Sequence, residues 1–144
     1  MANSLYAAYK QEQLGDAAGP GHGSVNWETA TIKLVLCDSA DYTANVNTDQ
    51  DLADIAAAGR VATGTLASKT AVLSGNTLTM DAADLTLTAV SGDQSEVMVI
   101  YKDSGTVSTS LLIVFFDTFS SGMPITPNGG DIQVVFNASG IFNW

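Results

Sequence analysis

The chain has 144 residues with 15 acidic side chains against 5 basic ones, a formal charge of −10 at neutral pH. That balance excludes a nucleic-acid backbone as partner, since phosphate recognition needs clustered Lys or Arg and here Lys10, Lys33, Arg60, Lys69 and Lys102 are scattered. The length fits one domain large enough to fold without disulfides, and a single histidine and a single cysteine leave carboxylates or a bound metal to supply any enzymatic chemistry.

The N-terminus has neither the basic segment nor the apolar stretch of a secretory signal. The first element is a helix over 5–14, rich in Ala, Gln, Glu and Lys, with Ser4 as N-cap, Leu5, Tyr6 and Tyr9 toward one face, and Gly15 as the stop. A glycine-rich loop over 18–24 follows, in which successive glycines prevent regular structure. These two pieces define an N-terminal helix and arm over 1–23, and 24–144 form the β domain.

From Val25 the period becomes β-like. Trp27 and Thr29, then 31–37, predict a first long strand closed by the Asp38 to Asp41 turn; Cys37, at the end of this apolar run, reads as a buried, reduced thiol. The stretch 51–58 predicts one or two helical turns with carboxylates at the start, where the helix dipole favours them, and Gly59 ends it. Strand residues follow at 60–63 and 66–73, and Gly75-Asn76 makes a hairpin turn into 77–80. Residues 77–80 and 85–90 alternate polar with apolar, as a sheet with one wet face does. The runs 97–101 and 111–116 are almost continuously apolar, so they are expected to be central and covered on both faces, by a second sheet or by another subunit. The last strand is 132–136. The run 111–116 falls far short of the ~20 residues that span a bilayer, so a soluble protein made in a cytoplasm, with no membrane partner, is expected. The fold class is mainly β, an antiparallel β-sandwich or jelly-roll-like barrel with a short N-terminal helix. Its core is expected to hold Ile32, Leu34, Leu36, Val99, Tyr101, Ile113, Phe115 and Val134.

No catalytic residue, metal ligand set or cofactor emerges. His22 lacks His, Cys or Glu neighbours in sequence and reads as a loop residue, and the glycines at 19, 21 and 23 neither follow a strand nor open a helix as a phosphate loop requires. Asp49, Asp51 and Asp54 resemble a calcium loop in part but lack its central Gly, and Arg60 stands where a bidentate Glu is needed, so helix capping accounts for them better. Asp38 and Asp41 read as turn residues bonding their own backbone, with a calcium site shared between copies as the minority reading. Asp93 and Glu96 have the chemistry of a glycosidase pair, but nothing in their spacing singles them out. The aromatic C-terminus, with Phe142 and Trp144, needs cover, either on the chain's own sheet or in a neighbouring subunit.

Taken in order, several segments resemble a family of small proteins encoded in the structural gene clusters of tailed bacteriophages. They are 30–36 with 38–42, 54–63, 88–96, 99–103 and 126–132, which span most of the chain. The loop around His22 and the ending at Phe142 and Trp144 depart from the family's pattern. The resemblance implies a component of the head region and carries no catalytic residues with it. The expected function is therefore that of a non-enzymatic capsid decoration or cement protein, which binds the outer head surface and bridges neighbouring major capsid proteins. The expected location is the surface of the virion, assembled in the host cytoplasm, and a homotrimer suits capsid geometry. Its partner contacts are expected at Leu5, Tyr6, Tyr9 and Leu14, on a segment free to reach a neighbour, and at Phe142 and Trp144. A tail or head–tail connector subunit, or a carbohydrate-binding adhesin using Trp27 or Trp144 as a platform, are the alternatives.

Overall fold

A computed structural model describes residues 3–15, 22–117 and 122–144. In chain order the elements are β1 (Ser4–Leu5), α1 (Ala7–Gln13), β2 (Ile32–Cys37), β3 (Arg60–Thr65), β4 (Thr70–Ser74), β5 (Thr77–Asp81), β6 (Leu85–Leu87), β7 (Val97–Lys102), β8 (Leu112–Phe116), β9 (Ile132–Val134) and β10 (Phe142–Asn143). The strands form a five-stranded sheet in the order β1-β8-β7-β2-β3, a three-stranded sheet β10-β5-β4 and a two-stranded sheet β6-β9. All pairings are antiparallel. The fold is mainly β and sandwich-like with one short N-terminal helix; the sheets do not close into a barrel, which settles that alternative.

The two continuously apolar strands, β7 and β8, sit with β2 in the middle of the large sheet, where both faces must be dry. Leu34 and Leu36 on one face of β2, and Val35 and Cys37 on the other, are all buried. The chain covers these strands itself, with Tyr6, Tyr42, Leu52, Ile55, Ile132, Val134 and Phe136 in the same core, so a second subunit is not needed for that purpose. All eight residues expected in the core are buried. Cys37 is free, and burial pushes its thiol up to about 12.

Several local expectations shift. Trp27 to Ala30 form a turn and not the start of β2, because Asn26 takes the Thr29 N–H on its side-chain oxygen and the Ala30 N–H on its carbonyl. The stretch 66–73 is broken between β3 and β4, with Ser68 at φ +50°. At 51–59 the helical turns are 3₁₀, Leu52–Asp54 and Ala57–Gly59; Asp51 accepts from Ala53 N while Asp54 accepts from Asp51 N, a reciprocal capping box. The final strand 132–136 is shorter than expected, and β10 adds a further pairing on β5.

The N-terminal segment differs most. The helix starts at Ala7 with Tyr6 at its N-cap and no side-chain cap, because Ser4 and Leu5 are used as β1, paired to Phe115 and Val114. Tyr6 N–H then donates to Ile113 O and Ala7 N–H to Val46 O. Residues 3–15 are thus one edge of the large sheet and part of its core, where a separate arm over 1–23 was expected. The glycine-rich loop at 18–24 lies outside the described residues as far as Gly21.

Candidate functional site

The six residues picked as partner contacts fall into two groups. Tyr6 is 0% and Tyr9 4% exposed, and Leu5 is half-buried in β1, so these are packing residues and not a contact surface. Leu14, at the end of α1, is 83% exposed. Tyr6 and Tyr42 share a hydrogen bond of 2.7 Å, and Tyr42 donates to Asp49 Oδ2 at 3.0 Å. Burial raises both phenols well above their ordinary range, and raises Tyr9 to about 12.

The C-terminus docks on the chain's own sheet. Trp144 and Leu78 exchange two backbone hydrogen bonds of 2.8 Å, and Phe142 packs edge-on against Trp27 with ring centres 5.3 Å apart. Trp144 itself stands against Tyr9 at 5.3 Å and 59°. The two ends of the chain therefore meet, and between them opens a cleft of about 290 Å³ walled by Tyr9, Trp27, Leu78, Met80 and Trp144, with Gln13 and Glu28 at its polar side. Gln13 Nε2 is buried without a hydrogen-bond partner. A larger cleft of about 810 Å³ lies between Leu36, Met98 and Phe116 of the large sheet and the segment 132–143; it borders Gly122, next to residues outside the described set.

A second surface is the hairpin β4–β5. Strand β4 is the outer strand of its sheet, Gly75 at φ +61° makes its turn, and Val72 and Leu73 are 59% and 69% exposed. Glu28 takes the Ala71 N–H at 3.2 Å, and the rest of this outer edge, with no charged side chain on β4 itself, is a template for another chain.

His22 lies in a loop, as expected, but is buried there: it is 3% exposed, with Nδ1 3.6 Å from Glu12 Oε1 and Nε2 3.8 Å from Asp51 Oδ2. The carboxylates that flank it lie 10 and 29 positions away in sequence, so local spacing carries no sign of them. The two carboxylates face different ring nitrogens, neither of which has a hydrogen-bond partner, and they do not converge on one ion. Asp38 behaves as the turn residue expected, accepting from Ala40 N at 2.7 Å. Its carboxylate, with those of Asp41 and Asp93, gathers within 4.8 Å on the surface, a trio that no local spacing signals. Glu96 instead accepts from Ser39 N at 2.9 Å.

Three of the five basic side chains are committed internally. Arg60 donates to Ile55 O and Leu52 O, Lys102 to His22 O, and Lys33 pairs with Asp103 at 2.6 Å. That pairing holds the Asp103 carboxyl below its ordinary range. Among the described residues no helix is long and apolar enough to cross a membrane. The chain matches no protein-family model and no curated protein sequence.

Proposed function

We propose that this chain is a structural component of a tailed-bacteriophage virion, a capsid decoration or cement protein that binds the outer head surface, bridges major capsid proteins and works as a homotrimer without enzymatic activity. The observation that carries the reading is the outer edge of β4, where Glu28 takes the Ala71 N–H and Val72 and Leu73 stand side by side in solvent. A cement protein needs a rigid body and a face for its partner, and β-strand addition to a sheet edge supplies both backbone pairing and side-chain contact. The resemblance of the ordered segments between 30 and 132 supports the head region. The acid excess, with Arg60, Lys33 and Lys102 turned inward, favours the outside of a head over its DNA-lined interior.

The test is addition of purified protein to expanded, undecorated heads. Parent protein should bind and raise the temperature or chaotrope concentration at which heads open, and V72K/L73K should keep its fold and lose binding. Heads that bind the double variant as well as the parent remove β4 as the contact. If parent protein binds no heads but assembles into rings or tubes, the head reading falls to the connector or tail alternative.

A further inference from the structure

We infer that Glu28 is a guard on the β4 edge: its carboxylate caps the Ala71 N–H and thereby blocks two copies of the chain from pairing through β4. The guard acts on the strand proposed as the head contact, yet it follows from the geometry of that strand alone and is tested without heads.

The strand itself is suited to pair with a copy of itself. It is the outer strand of its sheet, it carries no charged side chain, and Val72 and Leu73 both stand in solvent. Backbone groups along an antiparallel strand alternate between facing their partner and facing away. Because the Ala71 N–H goes to Glu28 and not to β5, Ala71 and Leu73 are the residues whose backbone groups face outward. Antiparallel pairing of two copies centred on Val72 sets Ala71 of each opposite Leu73 of the other. The outward N–H groups of both residues then find carbonyls, and the two Val72 side chains meet across the ribbon. Such a pairing is two-fold and closes on itself.

The guard is fixed over that pairing site by the same sheet. Glu28 lies in the turn from Trp27 to Ala30, which Asn26 holds by taking the Thr29 N–H on its side-chain oxygen and the Ala30 N–H on its carbonyl. Trp27 fastens the turn to the three-stranded sheet: it is buried, donates its ring N–H to Asp81 O of β5 at 3.0 Å and packs edge-on against Phe142 of β10. Asp81 is the partner of Thr70, the neighbour of Ala71. The Glu28 side chain is therefore delivered to the edge while staying in solvent, and its Oε1 accepts from Ala71 N at 3.2 Å. A strand from another protein breaks one such cap, whereas a second copy has to break two. The cap thus discriminates against self-pairing. General repulsion between chains of charge −10 acts at every face, but Glu28 occupies the one amide that self-pairing needs.

The experiment compares the parent chain with E28A, E28Q and E28A/V72K by sedimentation equilibrium over a concentration series, and follows hydrogen exchange at the Ala71 N–H in dilute solution. E28A should associate beyond the parent's own mass at a concentration about ten- to a hundredfold lower, since each of the two caps is worth about three- to tenfold. E28Q keeps an oxygen for the Ala71 N–H without the charge and should follow the parent. E28A/V72K, which sets like charges where the two valines meet, should return to the parent's behaviour. In dilute solution the Ala71 N–H should exchange faster in E28A than in the parent. The inference is overturned if E28A associates no more than the parent, or if E28Q associates as strongly as E28A, which makes charge and not the cap the barrier. It is equally overturned if the added lysine leaves the association of E28A unchanged, or if the Ala71 N–H exchanges alike in E28A and parent.

Discussion

The buried tyrosine pair allows an asymmetric prediction. Tyr42 has one phenolic proton and gives it to the Asp49 carboxylate, which is acceptor-only when ionised, so the proton in the 2.7 Å Tyr6–Tyr42 bond must come from Tyr6. Removing the Tyr6 hydroxyl leaves Tyr42 still bonded to Asp49 and strands no donor. Y6F should therefore cost about 0.5–1.5 kcal/mol, one ordinary hydrogen bond. Removing the Tyr42 hydroxyl strands the Tyr6 O–H at a site that is 0% exposed and takes a charge-assisted bond from Asp49, which keeps Asn45 N–H at 2.8 Å. Y42F should cost about 3 kcal/mol on those two counts. In the Y42F background, Y6F removes the stranded donor and should be neutral or stabilising. Urea unfolding of the parent, both single variants and the double variant at pH 7 closes the cycle. Equal single-variant costs, or a double variant equal to their sum, would show that the proton does not run from Tyr6 through Tyr42 to Asp49.

Gly140 sits at φ +103°, and a Cβ there would press on Thr79 Cγ2 and come within 3.2 Å of Met80 O, so G140A should peel β10 from β5 at a cost of about 1–3 kcal/mol. Hydrogen exchange at Leu78 and Trp144 N–H should speed up together; unchanged protection would refute the close approach. On the alkaline side, burial raises Tyr6, Tyr9, Tyr42 and Cys37 in the fold, so their contribution is complete below the unfolded pKa values of 9.0 for the thiol and 10.0 for the phenols and is lost as pH climbs toward 12. The urea midpoint should fall steadily above pH 9 and fall less steeply in Y42F; a flat midpoint to pH 11 contradicts the burial of these groups.

The parts of the fold that could be read in the sequence are those where local pattern and tertiary environment agree. β2, β7 and β8 are apolar without alternation because both their faces are covered, and the 51–59 turns announce themselves through Asp51 and Asp54, whose carboxylates take backbone N–H groups within three residues. Ser4 differs from its expected role because a good cap residue ahead of a helix-forming run carries no mark of the Phe115 opposite it, and pairing to β8 overrides the cap. The site was illegible for the same reason on a larger scale. Tyr9 and Trp144, whose rings meet, are 135 positions apart.

Where the partner contact lies is decided by what the N-terminal segment would lose by leaving. Burying one large side chain such as tyrosine contributes roughly 1.5–3 kcal/mol, so Tyr6 and Tyr9 together hold the segment by roughly 3–6 kcal/mol before the hydrogen bonds from Tyr6 and Ala7 N–H are counted. A docking mode that extracts the segment must recover that sum first, and at 1.4 kcal/mol per decade it weakens binding by roughly a hundred- to ten-thousandfold against a mode that leaves the core intact. The β4 edge carries no such penalty, since Val72 and Leu73 are already in solvent and their burial is gain alone. A partner contact through β4 is therefore favoured over one through residues 3–14. It also leaves the Tyr9–Trp144 contact intact.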